Sequence, residues 1–331
     1  MTKKHKNIEI MSPAGSYECL MSAIQGGANS VYFGIEQLNM RSRSSKNFST
    51  DDLKRIVKIC NENKVKAYLT LNTIIYDKDI ALMKEIVDTA KSSGIDAIIA
   101  SDMAVINYAR YKDVEIHMST QSNISNIEAV RFYSQFADVV VMARELSLEQ
   151  VKEISKKIQK ESIFGPGGKL VRIEIFVHGA LCMAISGKCY LSLHMSSASA
   201  NRGACLQFCR RSYTVTDNEI GNQLEIDNEY IMSPKDLWTI HFLNKILDAG
   251  VNVLKIEGRA RSPEYVYTVT QCYSQAVDAW YENNYNTKKI KEWQEKLQTV
   301  FNRGFWDGYY LGQKLGEWSH RYGSHETEKK V

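Results

Sequence analysis

The sequence of 331 residues lacks any long apolar run. It contains no stretch approaching the roughly 18 consecutive apolar residues that a membrane-spanning helix requires. Its basic start is not followed by an apolar segment before Pro13, so the pattern of a secretory signal is also missing. These absences predict a cytoplasmic protein without a membrane partner. The formal net charge of +4 is small, and it permits an RNA partner without requiring one.

The sequence is also poor in familiar hydrolase motifs. It has neither the GxSxG turn of a serine hydrolase nor the HExxH pair of a zinc peptidase. It contains seven histidines, which are His5, His117, His178, His194, His241, His320 and His325. Two of them, His117 and His178, fall in or at the end of predicted strands. A Cys182 nucleophile with His178 as its base is the one dyad that the spacing suggests, and no carboxylate accompanies it.

Short apolar, β-branched runs alternate with longer amphipathic stretches, which is typical of a parallel sheet wound with helices. Eight such runs occur, at 8–12, 30–34, 66–72, 97–101, 115–119, 138–143, 172–179 and 252–258. Eight is the number of strands that closes a TIM-type barrel. Ser16 is a predicted helix N-cap, and Leu53, Ile56, Val57 and Cys60 have helical spacing. The fold prediction is an α/β protein, a TIM-like (β/α)8 barrel.

The alternation is interrupted between the seventh and eighth runs by about seventy residues, far more than a usual βα loop. We predict a barrel domain over residues 1–283, with a cysteine-rich insertion at 180–235. Within the insertion, Gly221 and Asn222 predict the turn of a small hairpin. Residues 284–331 are predicted to form a C-terminal helix and an aromatic, glycine-rich tail that packs on the barrel.

Four of the seven cysteines are close together: Cys182, Cys189, Cys205 and Cys209. Disulfides are rare in a reducing compartment, so clustered thiols there indicate a metal centre or catalysis. Their spacing matches neither a zinc ribbon nor a ferredoxin, and it favours a larger group such as a [4Fe–4S] cluster. Zinc and a set of merely buried thiols are the alternatives. Cys19, Cys60 and Cys272 lie on apolar helical faces and are predicted to be core residues.

The segment EIFVHGALCMAISGKCYLS at 174–192 resembles the signature of the collagenase-like peptidase family U32 at every position of the pattern. The resemblance extends over nearly the whole chain, for example in MSPAGSYECLMSAIQGGANSVYFG, KIEGRARSPEYV and FNRGFWDGYYLG. It is closest to the short members of the family. The family name implies proteolysis, whereas other members hydroxylate tRNA, ribosomal RNA or a ubiquinone precursor without molecular oxygen.

What the resemblance implies is a [4Fe–4S] cluster on Cys182, Cys189, Cys205 and Cys209, with prephenate as a possible co-substrate in the RNA reactions. We therefore expect an RNA-modifying hydroxylase, with hydroxylation of the tRNA wobble uridine as the favoured reaction. A collagenase-like peptidase is the alternative, and a partner protein in quinone-precursor hydroxylation is the third. An oligomer or heterodimer is compatible with each.

Polar residues at the predicted carboxyl ends of the strands are expected to meet at one barrel mouth. They are Gln121, Asn123, Arg144, Glu145, His178, Glu257 and Arg259. Arginines there can bind a dicarboxylate or an RNA phosphate in a forked geometry. We assign Arg144, Glu145 and Arg259 to orienting a small co-substrate and His178 to proton transfer, with Glu257 as a further catalytic residue. Gln121, Asn123 and Arg259 are assigned to binding. The structural alternatives are an Arg144–Glu145 ion pair at the rim, loop bonding by Gln121 and Asn123, and a core histidine.

Overall fold

The computed structural model describes residues 8–42, 47–216, 223–224, 230–312 and 316–319. Its strands are β1 (Glu9–Pro13), β2 (Ser30–Phe33), β3 (Lys66–Thr70), β4 (Ala97–Ala100), β5 (Glu115–Met118), β6 (Val139–Val141), β7 (Arg172–Gly179), β8 (Val215–Thr216), β9 (Gln223–Leu224), β10 (Asp236–Trp238), β11 (Val253–Ile256) and β12 (Phe305–Trp306). Strands β1 to β7 and β11 are the eight runs predicted from the sequence.

These eight strands form a closed parallel barrel. Each of β1 to β7 pairs with the next, and β11 pairs with both β1 and β7, where Leu254 lies opposite Ile10 and Ile175. Closure removes every exposed sheet edge within the barrel. The predicted TIM-like (β/α)8 fold is confirmed.

The structure describes helices outside the barrel and, in the segment after β7, one beside its mouth. They are α1 (Tyr17–Gln25), α2 (Leu53–Glu62), α3 (Ile80–Ser93), α4 (Met103–Tyr111), α5 (Ile127–Ser134), α6 (Leu148–Lys160), α7 (Leu191–Ser196), α8 (Leu243–Asp248), α9 (Pro263–Tyr281) and α10 (Thr287–Thr299). The Ser16 hydroxyl accepts a bond from the Cys19 backbone N–H, which confirms the predicted cap of α1. None of the described helices is long and apolar enough to span a bilayer.

The main hydrophobic core lies between the barrel and its helices. The four apolar positions of α2, Leu53, Ile56, Val57 and Cys60, are all buried in it. Cys19 and Cys272 are buried in the same core, as predicted. A smaller cluster fills the barrel lumen and consists of Met11, Tyr32, Tyr68, Ala97, Ile99, Val139 and Val253. The side chains at inward-facing strand positions therefore fill the interior, and no open channel runs through the barrel.

The chain leaves the barrel after β7 and folds over the carboxyl ends of the strands. The Ser42 hydroxyl, in the loop after β2, donates to the Gly203 carbonyl, and the Ile74 N–H, in the loop after β3, donates to the Asn201 carbonyl. Gly203 has a φ of 84°, and a Cβ there would lie 2.4 Å from the Asn39 carbonyl oxygen. Only glycine permits this close approach.

The segment after β7 also contains short strands that the sequence analysis predicted only in part. Strands β8 and β9 pair in an antiparallel ladder, while the predicted hairpin turn at Gly221 and Asn222 lies outside the described residues. Strand β10 pairs antiparallel with the end of β7 and parallel with β12. The sequence did not predict β10 or β12, which extend the sheet beyond the barrel.

The C-terminal residues described contact both the helices and the mouth. Helix α10 packs on α9, where the Trp293 indole N–H donates to Gln275 at 3.0 Å. The Tyr310 hydroxyl donates to the Phe176 carbonyl, and the Ser319 N–H donates to the Ser233 carbonyl. The division into domains at residue 283 stays a prediction.

Candidate functional site at the barrel mouth

A cavity of about 630 Å³ opens at the carboxyl ends of the barrel strands, where active sites of this fold lie. Strand ends, the loops after them and the segment after β7 all contribute to its wall. Side chains from β2, β3 and β7 line it, including Tyr32, Thr70 and Phe176. The size and the mixed apolar and polar lining suit a small molecule or a single nucleotide.

All four clustered cysteines line this one cavity. Cys182 is exposed, and Cys189, Cys205 and Cys209 are partly buried. Burial raises the pKa of the Cys209 thiol, and the other three thiols act in the same direction, so the four lie within electrostatic range of one another. The structure therefore brings together the cysteines that the sequence had grouped.

Two metal groups take cysteine thiolates as ligands, a structural zinc ion and a [4Fe–4S] cluster. Within the described ranges, no three His, Cys, Asp or Glu side chains are arranged to hold a single metal ion. A structural zinc site draws four ligands to about 2–2.3 Å from one point. A cubane cluster instead takes thiolates at separate iron corners, around a larger body. Four thiols at the wall of one cavity are a donor set of the kind that an iron–sulfur cluster takes.

The segment that carries the thiols is clamped by a buried guanidinium group. Arg210 donates to the Leu181 carbonyl at 2.5 Å, the Pro234 carbonyl at 2.7 Å and the Ser233 hydroxyl at 2.8 Å. Burial lowers the pKa of Arg210 to about 10. Leu181 precedes the first clustered cysteine and Arg210 follows the last, so this side chain ties the two ends of the segment together.

The cavity wall is strongly cationic. Its basic lining residues are Arg41, Arg144, Lys188, Arg210, Lys255, Arg259, Arg261 and Arg303. Glu257 is the one acidic residue among the described residues that line it. Lys255, Arg303 and Arg41 are paired with Glu174, Asp236 and Glu257. The remaining basic groups favour anionic occupants, such as a thiolate-bound cluster, a dicarboxylate or a phosphate.

Two arginines of this wall are held in place by the ends of β2, β3 and β11. Arg41 lies 2.9 Å from Glu257, and Arg259 donates to Asn39 at 3.1 Å and to Thr70 at 2.9 Å. Burial lowers the pKa of Arg259 to about 10, which leaves it charged near neutral pH. Burial would raise the pKa of Glu257, but the neighbouring arginines hold it below its usual value. The guanidinium groups are thus fixed before a ligand arrives.

A buried ion pair at this end of the barrel was missed by the sequence analysis. The Lys255 ammonium lies 2.7 Å from Glu174 Oε1, and both side chains are at least nine-tenths buried. Lys255 lines the cavity, 4.8 Å from the Tyr32 ring centroid. The second oxygen of Glu174 has no hydrogen-bond partner among the described residues. Strand alternation could have signalled this pair, since Glu174 and Lys255 each occupy an inward position in an apolar run.

The predicted mouth residues divide into two groups. Gln121, Arg144, Glu257 and Arg259 line the cavity, and Glu145 is exposed beside it. Arg144 packs over the Phe176 ring at 4.0 Å, and its Nε is buried without a partner among the described residues. The described ion pairs do not join it to Glu145.

Asn123 and His178 do not line the cavity, which corrects their expected convergence. The Asn123 amide donates to the Gln121 carbonyl at 2.8 Å and the Ser186 carbonyl at 3.2 Å, so its visible contacts stabilise loops. His178, near the end of β7, is buried among the rings of Tyr265, Tyr273 and Phe305. Burial lowers the pKa of His178 to about 4, so the ring is neutral near pH 7.

His117 lies at the opposite end of the barrel. Its Nε2 is 3.0 Å from Glu115, at the start of β5, and its ring packs 4.6 Å from the Tyr68 ring. Beside it, Glu9 accepts a bond from Tyr68 at 2.7 Å and pairs with Arg172 at 2.5 Å. These residues form a second polar layer that does not reach the mouth cavity.

Together, the fold and the site define a (β/α)8-barrel protein with a thiol-lined, cationic mouth. A family model for peptidase family U32 matches residues 15–320, and the chain belongs to that family. It is 63% identical over 325 residues to a protein named collagenase from Porphyromonas gingivalis, covering 98% of this chain and 78% of that one. The resemblance seen in the sequence is confirmed.

Relatives with RNA-directed names are more distant. The chain is 34% identical to tRNA hydroxylation protein P1 of Bacillus subtilis, over 94% of this chain and 74% of that one. It is 32% identical to the 23S rRNA 5-hydroxycytidine C2501 synthase of Escherichia coli, over 96% of this chain and 47% of that one. The solved U32 peptidase Mk0906 superposes with a TM-score of 0.50 at 10% identity, over 78% of this chain and 96% of that one, which supports the fold.

Proposed function

We propose that this chain is an iron–sulfur-dependent hydroxylase that modifies RNA without molecular oxygen, with the wobble uridine of tRNA as the favoured substrate. One observation carries the proposal: four thiols and a set of fixed guanidinium groups line a single cavity at the barrel mouth. The relatives named for tRNA and rRNA hydroxylation support the choice of substrate class.

The thiols Cys182, Cys189, Cys205 and Cys209 would hold the [4Fe–4S] cluster. The cluster, when bound, would supply a redox-active centre beside the cavity. The chain's own residues provide the wall in which the substrate is held. Lys255, Arg41 and Arg259 counterbalance negative charge there and are already positioned by protein contacts.

The guanidinium groups bind the small co-substrate in this proposal. Prephenate is a dicarboxylate, and a carboxylate accepts two parallel bonds from one arginine. Arg259 is buried and bonded to Asn39 and Thr70, so it presents a fixed charge rather than a mobile one. Arg144 is held over the Phe176 ring at the other side of the cavity. His178 is not retained as the proton carrier, because it is buried outside the cavity.

A collagenase-like peptidase is the second candidate, and the name of the 63% identical relative favours it. A cysteine peptidase needs a base beside its nucleophile. Cys182 lines the cavity, whereas His178 packs against α9 residues and not toward the thiol's cavity. None of the described residues that line the mouth is a histidine. The geometry therefore supports the hydroxylase better.

The test is mass analysis of tRNA from a strain that lacks this chain. Expression of the wild-type chain is expected to restore hydroxylation of the wobble uridine, and Cys182→Ser is not. Cys60→Ala, which changes a core thiol away from the site, is the matched control and should restore it. Wobble uridine hydroxylation that is unchanged by the deletion would contradict the proposal. Gelatin cleavage by purified protein that depends on Cys182 would support the peptidase instead.

A further inference from the structure

A second, smaller cavity of about 220 Å³ adjoins the mouth cavity. The two share part of their walls, including Arg144 and Cys182. Three aromatic side chains from the C-terminal residues, Trp306, Tyr309 and Trp318, line only the smaller one. A compartment with flat apolar walls therefore opens beside the first of the clustered thiols.

The aromatic wall is fixed by the fold. Trp306 lies on β12, is 3% exposed, and contacts the Tyr309 ring at 5.1 Å in an edge-to-face arrangement. Trp318 forms a backbone bridge with Pro234. The wall is thus present before any ligand binds, as is typical of small-molecule sites.

Two buried donors of this wall have no acceptor among the described residues. They are the Trp306 indole N–H and the Arg144 Nε–H. A buried donor without a partner destabilises a protein unless a ligand or water provides the acceptor. A carboxylate, Glu145, lines the same cavity and is solvent-exposed. The side chains that line this cavity therefore include two with an unpartnered donor and one with an acceptor.

This set of groups matches one edge of a uracil ring. The Watson–Crick edge of uracil presents two carbonyl oxygens on either side of an N–H, whereas that of cytosine presents an amino group, a ring nitrogen and one oxygen. A base taken out of its strand is read through this edge and by stacking on aromatic side chains. We propose that the small cavity binds the target uracil, with Trp306 and Arg144 donating to its oxygens and Glu145 accepting from its N–H.

The inference rests on the proposed function and adds the residues that select the base. It assigns the mouth cavity to the cluster and the small co-substrate, and the smaller cavity to the base. Cys182 lies in the wall of both, so a base held there is adjacent to the thiol-bound centre.

The test measures RNA binding by cluster-free protein, so that its readout does not depend on catalysis. The probes are two single-stranded oligonucleotides that differ only by uridine or cytidine at one position, and fluorescence anisotropy gives each Kd. Trp306→Phe keeps an aromatic ring and removes the donor. It is expected to weaken uridine binding about tenfold and to reduce the preference for uridine over cytidine.

Two further variants keep the result interpretable. Trp318→Ala removes a stacking surface at a partly exposed position, so both oligonucleotides should bind about tenfold more weakly, with the preference unchanged. Trp293→Phe removes an indole N–H on α10, which bonds Gln275 and lines neither cavity, and should leave both Kd values unchanged. Circular dichroism confirms that each variant is folded.

Two outcomes would overturn the inference. In one, folded Trp306→Phe and Trp318→Ala bind both oligonucleotides as the wild type does. In the other, a collagen-like peptide competes for the site while RNA does not. If both variants still hydroxylate tRNA with an unchanged KM, the base-pocket assignment is contradicted and the proposed function is not. The opposite case is also distinguishable. Loss of uridine preference in Trp306→Phe would support the base pocket, while tRNA that stays unmodified in the deletion strain after expression of the wild-type chain would contradict the proposed function.

Discussion

The barrel interior contains two polar layers, of which only one faces the mouth cavity. The lower layer, at the amino ends of the strands, joins Glu9, Tyr68 and Arg172 in direct contacts and lies apart from the mouth cavity. The upper layer, around Glu257 and Lys255, faces the cavity and carries an excess of positive charge. Both layers are buried, yet only the upper one presents charged groups to a ligand.

The contrast shows which buried charges belong to stability and which to function. In the lower layer each charge is matched by a partner at bonding distance, so the layer needs nothing further. In the upper layer Lys255, Arg41 and Arg303 are paired with carboxylates, whereas Arg259 donates to the neutral side chains of Asn39 and Thr70 and keeps its charge available to an anionic ligand. Active-site residues in this fold come from the carboxyl ends of the strands, in agreement with this division.

The largest expected effect comes from breaking the buried pair of the upper layer. Lys255→Met would leave the Glu174 carboxylate buried and uncompensated, so the free energy of unfolding should fall by about 3–5 kcal/mol. Urea denaturation followed by circular dichroism measures it. The double variant Lys255→Met/Glu174→Gln removes both charges and should recover most of the loss. Equal destabilisation in the single and double variants would contradict the pairing.

In the lower layer the expected effect is a pH dependence. Burial opposes ionisation of Glu9, yet Arg172 and the neighbouring groups lower its pKa from 4.5 to about 2. The resulting stabilisation is present above pH 4.5 and is lost as the pH falls toward 2, and it amounts to about 3 kcal/mol. Denaturation of wild type and Glu9→Gln across this range gives the difference, which should vanish near pH 2. A constant difference would refute the assignment.

His178 should show a loss of similar size at higher pH. Burial lowers its pKa from 6.5 to about 4, so the neutral ring stabilises the fold above pH 6.5 and that contribution, about 3 kcal/mol, is lost as the pH falls through 4. His178→Phe should remove this dependence and leave the iron content unchanged. A folded His178→Phe variant without hydroxylase activity would restore the catalytic role that the sequence suggested.

A smaller effect is expected from Arg259→Lys in the upper layer. Lysine keeps the charge but cannot reproduce the two fixed bonds to Asn39 and Thr70, so prephenate should bind about tenfold more weakly. Isothermal titration calorimetry under anaerobic conditions measures the Kd. Arg211→Lys, an exposed arginine that packs over Phe208, is the matched control and should bind as the wild type does. An unchanged Kd for prephenate in Arg259→Lys would contradict the role of Arg259 in binding it.

Much of the barrel could be predicted from the sequence because its strands are continuous apolar runs and its helices are amphipathic. The residues Glu257 and Arg259 could be placed at the mouth because they directly follow such a run. Strands β10 and β12 could not, since they have three and two residues and pair across a long stretch of chain. Short strands carry too little periodicity to be recognised.

The position of His178 shows a second limit. Glu174 contacts Lys255 of the upper layer and Phe176 lines the cavity, so alternation along β7 predicts that His178 also points inward. The pairing of β7 with β11 shifts between Lys255 and Ile256, which lie opposite Phe176 and His178. This bulge adds one residue and turns His178 outward toward α9. Gly179, with a φ of 101°, directly follows His178, but a glycine at the end of a strand does not by itself indicate a bulge.

The central claim is that four thiols hold one cluster at the mouth of the barrel. The most direct measurement is the iron and acid-labile sulfide content of anaerobically purified protein, together with its electron paramagnetic resonance after reduction. The account predicts about four iron and four sulfide per chain. It also predicts that both values are lost in Cys182→Ser and retained in Cys60→Ala. A colourless wild-type protein that contains zinc, or no metal under these conditions, would contradict it.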